Sequence, residues 1–163
     1  RSEAEQARAD STSIPTRLID YRAFAQAVQE AGRLRADRRV SEARFIEMAK
    51  DEDTIILDTR SAAKFALLHI KGAVHLNFSE ITTESLAKII PRKDTRILIY
   101  CNNNFDGEPK AFASKKPAAA LNLPTFVTLY SYGYTNLYEL GPLLDVRKTE
   151  LELVGQQLAR LDR

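Results

Sequence analysis

One cysteine, Cys101, and two histidines, His69 and His75, are the only thiol and imidazole groups in 163 residues. A lone cysteine forbids any disulfide within the chain, and a structural zinc site needs more Cys and His ligands than these. No apolar run approaches the roughly 18 residues that span a bilayer. The longest, such as Ile97 to Cys101, are only strand-sized, so no membrane contact is expected. Excess charge is lacking too. Lys plus Arg number 24 against 22 Asp plus Glu, a net of +2, whereas a nucleic-acid binder carries a strongly basic patch. The densest basic stretch, Arg33, Arg35, Arg38 and Arg39 around Asp37, interleaves no aromatic residue to stack on bases. It reads as a solvated surface, and no nucleic-acid partner is expected. A starting methionine is also missing. The sequence opens at Arg1, as a processed product would, and shows no export signal itself.

What is present is an ordinary globular composition, with 44% apolar and 28% charged residues. The length favours one domain with a core that needs no staples. Residues 1–16 are polar, hold the breaker Pro15 and read as a frayed arm. From Leu18 to about Leu34, Phe24, Ala27, Val28 and Ala31 recur at spacings of three and four, one face of a helix. Ser41 has the chemistry of an N-cap for a second short helix. Thr54 to Asp58 is a β-branched apolar run and reads as a buried strand. A helix capped by Ser61, a short strand at Ala73 to Leu76 and an amphipathic helix from Ser79 to Ile90 follow. Arg96 to Tyr100 is the second buried strand. Residues 102–116 show no period. A short helix is expected near Pro117, a third buried strand over Thr125 to Tyr130, a short helix over Asn136 to Leu140, and a charged, partly helical tail from Arg147. Strands alternating with helices argue for an α/β fold whose central parallel sheet has helices on both faces, with an extra N-terminal helix.

In such a sheet ligands bind outside the carboxyl ends of the strands, and Cys101 sits at that end of the most hydrophobic strand. A lone cysteine inside a core strand is an inert small hydrophobe. At a strand tip opening a polar loop it is placed for chemistry. The position alone leaves both readings open.

The segment Ile55 to Leu76 resembles the first half of a rhodanese-like domain. Asp58 and Arg60 match the family's Asp-x-Arg, and His69, Ile70, Gly72 and Ala73 its turn into a short strand. Leu68 stands where the family has glycine. Arg96 to Cys101 is similar to the strand that delivers the family's catalytic cysteine, and Phe126 to Leu140 to its final elements. The resemblance implies a single rhodanese-like domain over residues 40–145, flanked by an N-terminal arm and helix over 1–39 and a tail over 146–163. Tyr-Cys-Asn-Asn-Asn-Phe at the cysteine is similar to a bacterial subgroup, many of whose members carry an export signal; this is the one pointer to a periplasmic or secreted protein.

The resemblance also implies sulfur transfer, with Cys101 as nucleophile and persulfide carrier. Backbone amides of Asn102, Asn103, Asn104, Phe105, Asp106 and Gly107 would stabilise the sulfur anion as a nest, with the asparagines at positive φ. Asp58 and Arg60 would support that loop, and His69 and His75 read as structural. The thiol pKa is expected below its free value of about 8.5. Neither a metal nor an organic cofactor is implied. The partner would be a small sulfur donor or acceptor thiol, or a protein docking on residues 102–116.

Two departures shape the expectation. Active rhodaneses often carry arginine or lysine in the loop after the cysteine, and here that loop has no base and one acid, Asp106. Asp106 beside the thiolate would repel a dianion such as thiosulfate, so a neutral persulfide, polysulfide or protein donor is expected. The loop is also long, and Phe105 to Lys116 is expected to form a lid or docking segment. Phosphatase chemistry on this fold needs Cys-x5-Arg for a guanidinium clamp; the sixth residue after Cys101 is Gly107, and the next arginine is Arg147. Two rivals remain. One is a binding module with an incidental cysteine, for which a raised thiol pKa would speak. The other is a redox sensor acting through the single thiol.

Overall fold

A computed structural model describes residues 1–161. Its helices are α1 (Glu3–Ser13), α2 (Tyr21–Arg35), α3 (Glu42–Ala49), α4 (Ala62–Leu67), α5 (Thr83–Ile89) and α6 (Asn122–Ser131). The strands are β1 (Arg39–Val40), β2 (Ile55–Asp58), β3 (His69–Ile70), β4 (Val74–His75), β5 (Ile97–Tyr100), β6 (Phe105–Asp106), β7 (Leu137–Leu140), β8 (Leu144–Asp145) and β9 (Leu153–Val154). Five strands form the central sheet in the order β1-β7-β5-β2-β4, with every pairing parallel. The expected α/β fold, with helices on both faces of a parallel sheet and a helix added before it, is what the chain adopts.

β5 lies at the centre and is buried along its whole length. Its side chains alternate between two cores, as the pleat requires. Leu98 and Tyr100 join Phe45, Met48, Phe105 and Phe112 on one face, while Ile97 and Ile99 join Ala31, Leu86, Phe126 and Leu129 on the other. From β2 the chain crosses to β4 on one side, and from β5 it crosses to β7 on the other. The carboxyl ends of β2 and β5 therefore flank the point where the connections diverge, where an open sheet leaves a crevice.

Two expected elements are exchanged. Thr125 to Tyr130 lies in α6, and Leu137–Leu140 is the strand. The buried residues of α6 are Asn122, Thr125, Phe126 and Leu129, a spacing of three and four that marks one helical face. The β-branched Thr125, Val127 and Thr128 hide that period. Pro124 falls in the first turn, where its missing N–H is not needed, and Gly133 ends the helix at a φ of 92°. In β7, near-continuous burial suits a strand covered on both faces. Just after α6, Tyr134 is buried and donates to the Ile90 carbonyl at 2.8 Å.

The arm read as frayed is the helix α1. Ser2 and Glu5 form a reciprocal capping box at its start. All of its residues are exposed, so local capping and not packing accounts for it. Nor is the segment after Asp145 a partly helical tail. β9 pairs antiparallel with β3, β8 pairs parallel with β6, and Val146, Leu151 and Leu153 enter the core; among the described residues its one helical piece is the 3-10 turn Leu158–Arg160. Gly155 permits this docking. A Cβ there would stand 2.5 Å from the Leu67 carbonyl oxygen, at a φ of +138°. Gly155→Ala is expected to destabilise the chain by about 2 kcal/mol, the cost of overpacking against backbone, read from the urea midpoint. An unchanged midpoint would show that the segment is not held this closely.

Candidate functional site

The carboxyl end of β2 is built on a buried ion pair. The Asp58 and Arg60 side chains are both fully buried and meet at 2.7 Å. Arg60 also donates from Nη1 to the Ala111 carbonyl and from Nη2 to the Leu68 carbonyl, each at 2.7 Å. Its guanidinium lies 4.4 Å from the Phe112 ring centre. The Tyr100 hydroxyl donates to Asp58 Oδ2 and accepts from the Ile70 amide. With all of these partners inside the protein, the pair is structural: it ties β2, β5, the turn before β3 and the segment around Ala111 into one unit. His75 Nε2 meets the Arg60 carbonyl and His69 Nδ1 the Phe65 carbonyl, both at 2.6 Å, so both histidines hold backbone.

Cys101 follows β5 directly and is 1% exposed. Asn102–Asn104 form a 3-10 turn with Cys101 as its cap. Among the described residues only glycines adopt positive φ. Asn103 and Asn104 thus act through their side chains, not through the unusual backbone expected of them. Asn104 is the knot. Its Oδ1 accepts from the Cys101 amide at 3.0 Å and from Asn122 Nδ2 at 2.8 Å, while its Nδ2 donates to the Leu140 and Pro142 carbonyls. Asn103 exchanges two hydrogen bonds with the Lys115 backbone, at 2.9 and 2.8 Å. The returning chain is thereby pinned beside the cysteine.

The expected nest of amides from Asn102 to Gly107 is only partly assembled. The Asn103 amide donates to Cys101 Sγ at 3.4 Å, and the other amides that favour a charged sulfur come from Asn122 and Leu121, at the start of α6. Phe105 points into the core, packed edge-on against Tyr100 and beside Phe112. Asp106 is exposed on the β6–β8 ladder and accepts from its neighbour Gly107. The Gly107 carbonyl accepts from Arg147. Nor does Phe105 to Lys116 stand over the site as a free lid, since Phe105, Ala111 and Phe112 are at most 2% exposed.

Sequence reasoning missed the carboxylate that matters. Glu139 on β7 is 3% exposed, and its charge bears on Cys101. Arg35, at the end of α2, holds it with Nε at 2.8 Å and Nη2 at 2.6 Å. Nothing in the sequence marks Arg35 among its neighbouring arginines, and a glutamate in a short strand has no periodic signal. Arg35, Asn103, Asn104, Asn122 and Glu139 line a cavity of about 300 Å³. A second cavity of about 290 Å³ is lined by Arg60, Lys64, Asn102 and Lys115 among others. Among the described residues no group of three His, Cys, Asp or Glu is placed to hold a metal, and no helix is long and apolar enough to cross a membrane.

Burial pushes the Cys101 thiol up from its ordinary value; the Asn103, Asn122 and Leu121 amides oppose the rise, and Glu139 adds to it. The expected depression is thus reversed, because desolvation outweighs the amides. Alkylation of the reduced protein by iodoacetamide should reach half its maximal rate above the free-thiol value of about pH 8.5. Glu139→Gln should move that midpoint down. A wild-type midpoint below the free-thiol value would mean that the amides win.

Residues 41–140 match the family described as the rhodanese-like domain. Among curated protein sequences none matches the chain. The solution structure of a rhodanese-like domain from Anabaena sp. is similar over 78% of this chain and 86% of its own, at 16% identity and a TM-score of 0.54. A crystallised protein from Bacillus halodurans is similar over 82% of this chain and 84% of its own, at 18% identity and a TM-score of 0.52. Both likenesses are of fold.

Proposed function

Because the chain belongs to the rhodanese-like domain family, we propose that it is a sulfurtransferase that carries a sulfane sulfur as a persulfide on Cys101. One observation carries this reading: the sulfur at the tip of the central strand is met by amides from two directions, Asn103 in its own turn and Leu121 and Asn122 at the start of α6. Such an arrangement favours an anion on sulfur. The run Tyr100 to Phe105, with its three asparagines after the cysteine, is what supports placing the chain in the bacterial subgroup.

The chemistry is covalent catalysis. The Cys101 thiolate attacks the sulfane sulfur of a donor persulfide; a sulfur–sulfur bond forms on Cys101 and the donor leaves as a thiolate. An acceptor thiolate then attacks the outer sulfur, and the bond to Cys101 breaks with its electron pair returning to Sγ. Electrons balance without an added oxidant or reductant. The donor is expected to be uncharged near its reacting sulfurs, because Glu139 and not Asp106 puts negative charge on this side of Cys101. Asp58, Arg60 and Asn104 position the loop without touching the reacting atoms.

A raised thiol pKa favours a second reading, in which the fold is kept, the cysteine is silent and the exposed Asp106, Gly107, Lys110 and Lys115 meet a protein partner. The mass of the intact reduced protein after exposure to glutathione persulfide separates the two. A gain of one sulfur that cyanide removes, and that Cys101→Ser abolishes, supports the transferase. No gain on a thiol still titratable after unfolding supports the binding module.

A further inference from the structure

α2 carries a wider apolar stripe than the fold covers. Phe24, Ala27, Val28 and Ala31 share one face of it, yet only Ala31 is buried, in the same core as Phe126 and Leu129 of α6. Phe24 and Val28 stay exposed, and so do Ile14, Leu18, Ile19 and Tyr21 ahead of them. Among the described residues nine large apolar side chains are exposed, and these six all fall between positions 14 and 28. Their exposure runs from 43% at Val28 to 82% at Leu18. At roughly 200 Å² for a large side chain, they leave about 800 Å² in water. The largest apolar patch on an ordinary monomer is about 300–600 Å². Phe24 and Val28 also line a groove of about 420 Å³, together with Phe78 and with Leu123, Pro124 and Val127. The Tyr21 ring stands 6.3 Å from that of Phe24, so the protruding residues continue the groove's rim.

We propose that this face docks a second copy of the chain, the two α2 helices meeting about a two-fold axis with Leu18, Ile19 and Tyr21 of each copy in the groove of the other. Area is the first argument. About 800 Å² per partner is what a stable interface of standard size buries, and the six side chains supply it. Shape is the second. A two-fold interface uses the same surface on both copies, so that surface must hold both projection and recess, as this one does. Charge is the third. Arg17 and Arg22 are matched by Asp20 and Glu30 over the same stretch, so like meets like without net repulsion. A helix that lies on an anionic bilayer is instead rich in Lys and Arg on its polar face. The face lies outside residues 41–140 of the family match except for the wall of the groove given by Phe78 and α6. The added N-terminal helix is therefore the dimerisation element, and this role is independent of the sulfur chemistry proposed for Cys101.

The test is sedimentation equilibrium of the full chain, kept reduced so that no disulfide links two copies. The mass should pass from one chain to two with a dissociation constant of about 10 µM or below, the weak end for an interface of this area. Phe24→Glu and Leu18→Glu each change an exposed residue, so the fold should stand, as circular dichroism checks. Each should raise the dissociation constant at least about ten-fold, because a charge is carried into the apolar contact. Leu158→Glu, in the turn after β9, should leave it unchanged. In a mixture of isotope-labelled and unlabelled protein, NMR contacts between copies should join Leu18 or Tyr21 to Leu123 or Val127. A chain still monomeric at about 100 µM, ten times the expected constant, overturns the proposal. So does a dimer that Phe24→Glu does not weaken. A monomer that cosediments with vesicles of phosphatidylcholine and phosphatidylglycerol, and that Phe24→Glu releases, overturns it too and assigns the face to a lipid surface.

Discussion

Arg60→Met is expected to lower the unfolding free energy by about 3–5 kcal/mol, the range for removing one partner of a buried ion pair. The methionine keeps much of the aliphatic stem, so the loss is of charge, hydrogen bonds and the guanidinium contact with the Phe112 ring more than of volume. Asp58 would remain fully buried, with only the Tyr100 hydroxyl and the Arg60 amide as donors. The Ala111 and Leu68 carbonyls would each lose a 2.7 Å partner. The uncompensated carboxylate dominates this sum, because a buried charge cannot be left in a low-dielectric interior without neutralising itself. Adding Asp58→Leu to Arg60→Met should therefore recover part of the loss, since replacing both members of such a pair is often near neutral. Urea unfolding followed by circular dichroism gives the three stabilities. A double variant less stable than the single would show that the two carbonyls, and not the carboxylate, carry the cost.

Asn104→Ala should cost about 3 kcal/mol, since one side chain serves two donors and two acceptors that water does not reach easily. The Cys101 amide and Asn122 Nδ2 lose their acceptor, and the Leu140 and Pro142 carbonyls their donor. Asn104→Asp separates hydrogen bonding from packing. The acceptor side survives in it, while a carboxylate oxygen is set against two carbonyls and a negative charge is added next to Cys101. Asn104→Asp should therefore be at least as unstable as Asn104→Ala near neutral pH and should regain stability on acidification, when the carboxyl can donate. Its Cys101 should also alkylate more slowly than that of wild type at a given pH. Thermal midpoints across pH, with alkylation rates beside them, check both statements. A pH-independent loss equal to that of Asn104→Ala would mean that packing alone is at stake.

The elements that position the site were the most legible, for a physical reason. β2 and β5 are continuous β-branched apolar runs, and a strand buried on both faces has no other composition open to it. Cys101 could be located because its strand could. Where two periods fit the same residues the reading failed: Thr125 to Tyr130 is β-branched yet turns its buried side chains every three and four residues, and five residues from Asn136 are too few to show alternation. The site divides in the same way. Asp58 and Arg60 are two residues apart and legible as a unit. Glu139 and Arg35 meet across 104 residues of sequence, and no local pattern records a pairing of that range. The turn chemistry of asparagine misled in another sense. Asn104 serves the Cys101 amide in its own turn and three tertiary partners, and its backbone conformation is ordinary.

The late ladders of the fold bear on the order in which it is made. β9 pairs with β3 and β8 with β6, and Leu151 and Leu153 close the core that holds Phe45, Met48, Phe105 and Phe112. During synthesis those aromatic and sulfur-containing side chains emerge well before the residues that cover them. Ile97, Ile99, Phe126 and Leu129, by contrast, meet their partners from α2, α5 and β7 by residue 140. The nascent chain thus acquires one finished hydrophobic face while the opposite one stays open to solvent. A nascent chain that has emerged beyond residue 140 but not yet as far as Leu151 and Leu153 displays an adhesive half-domain, the kind of species that chaperones exist to hold.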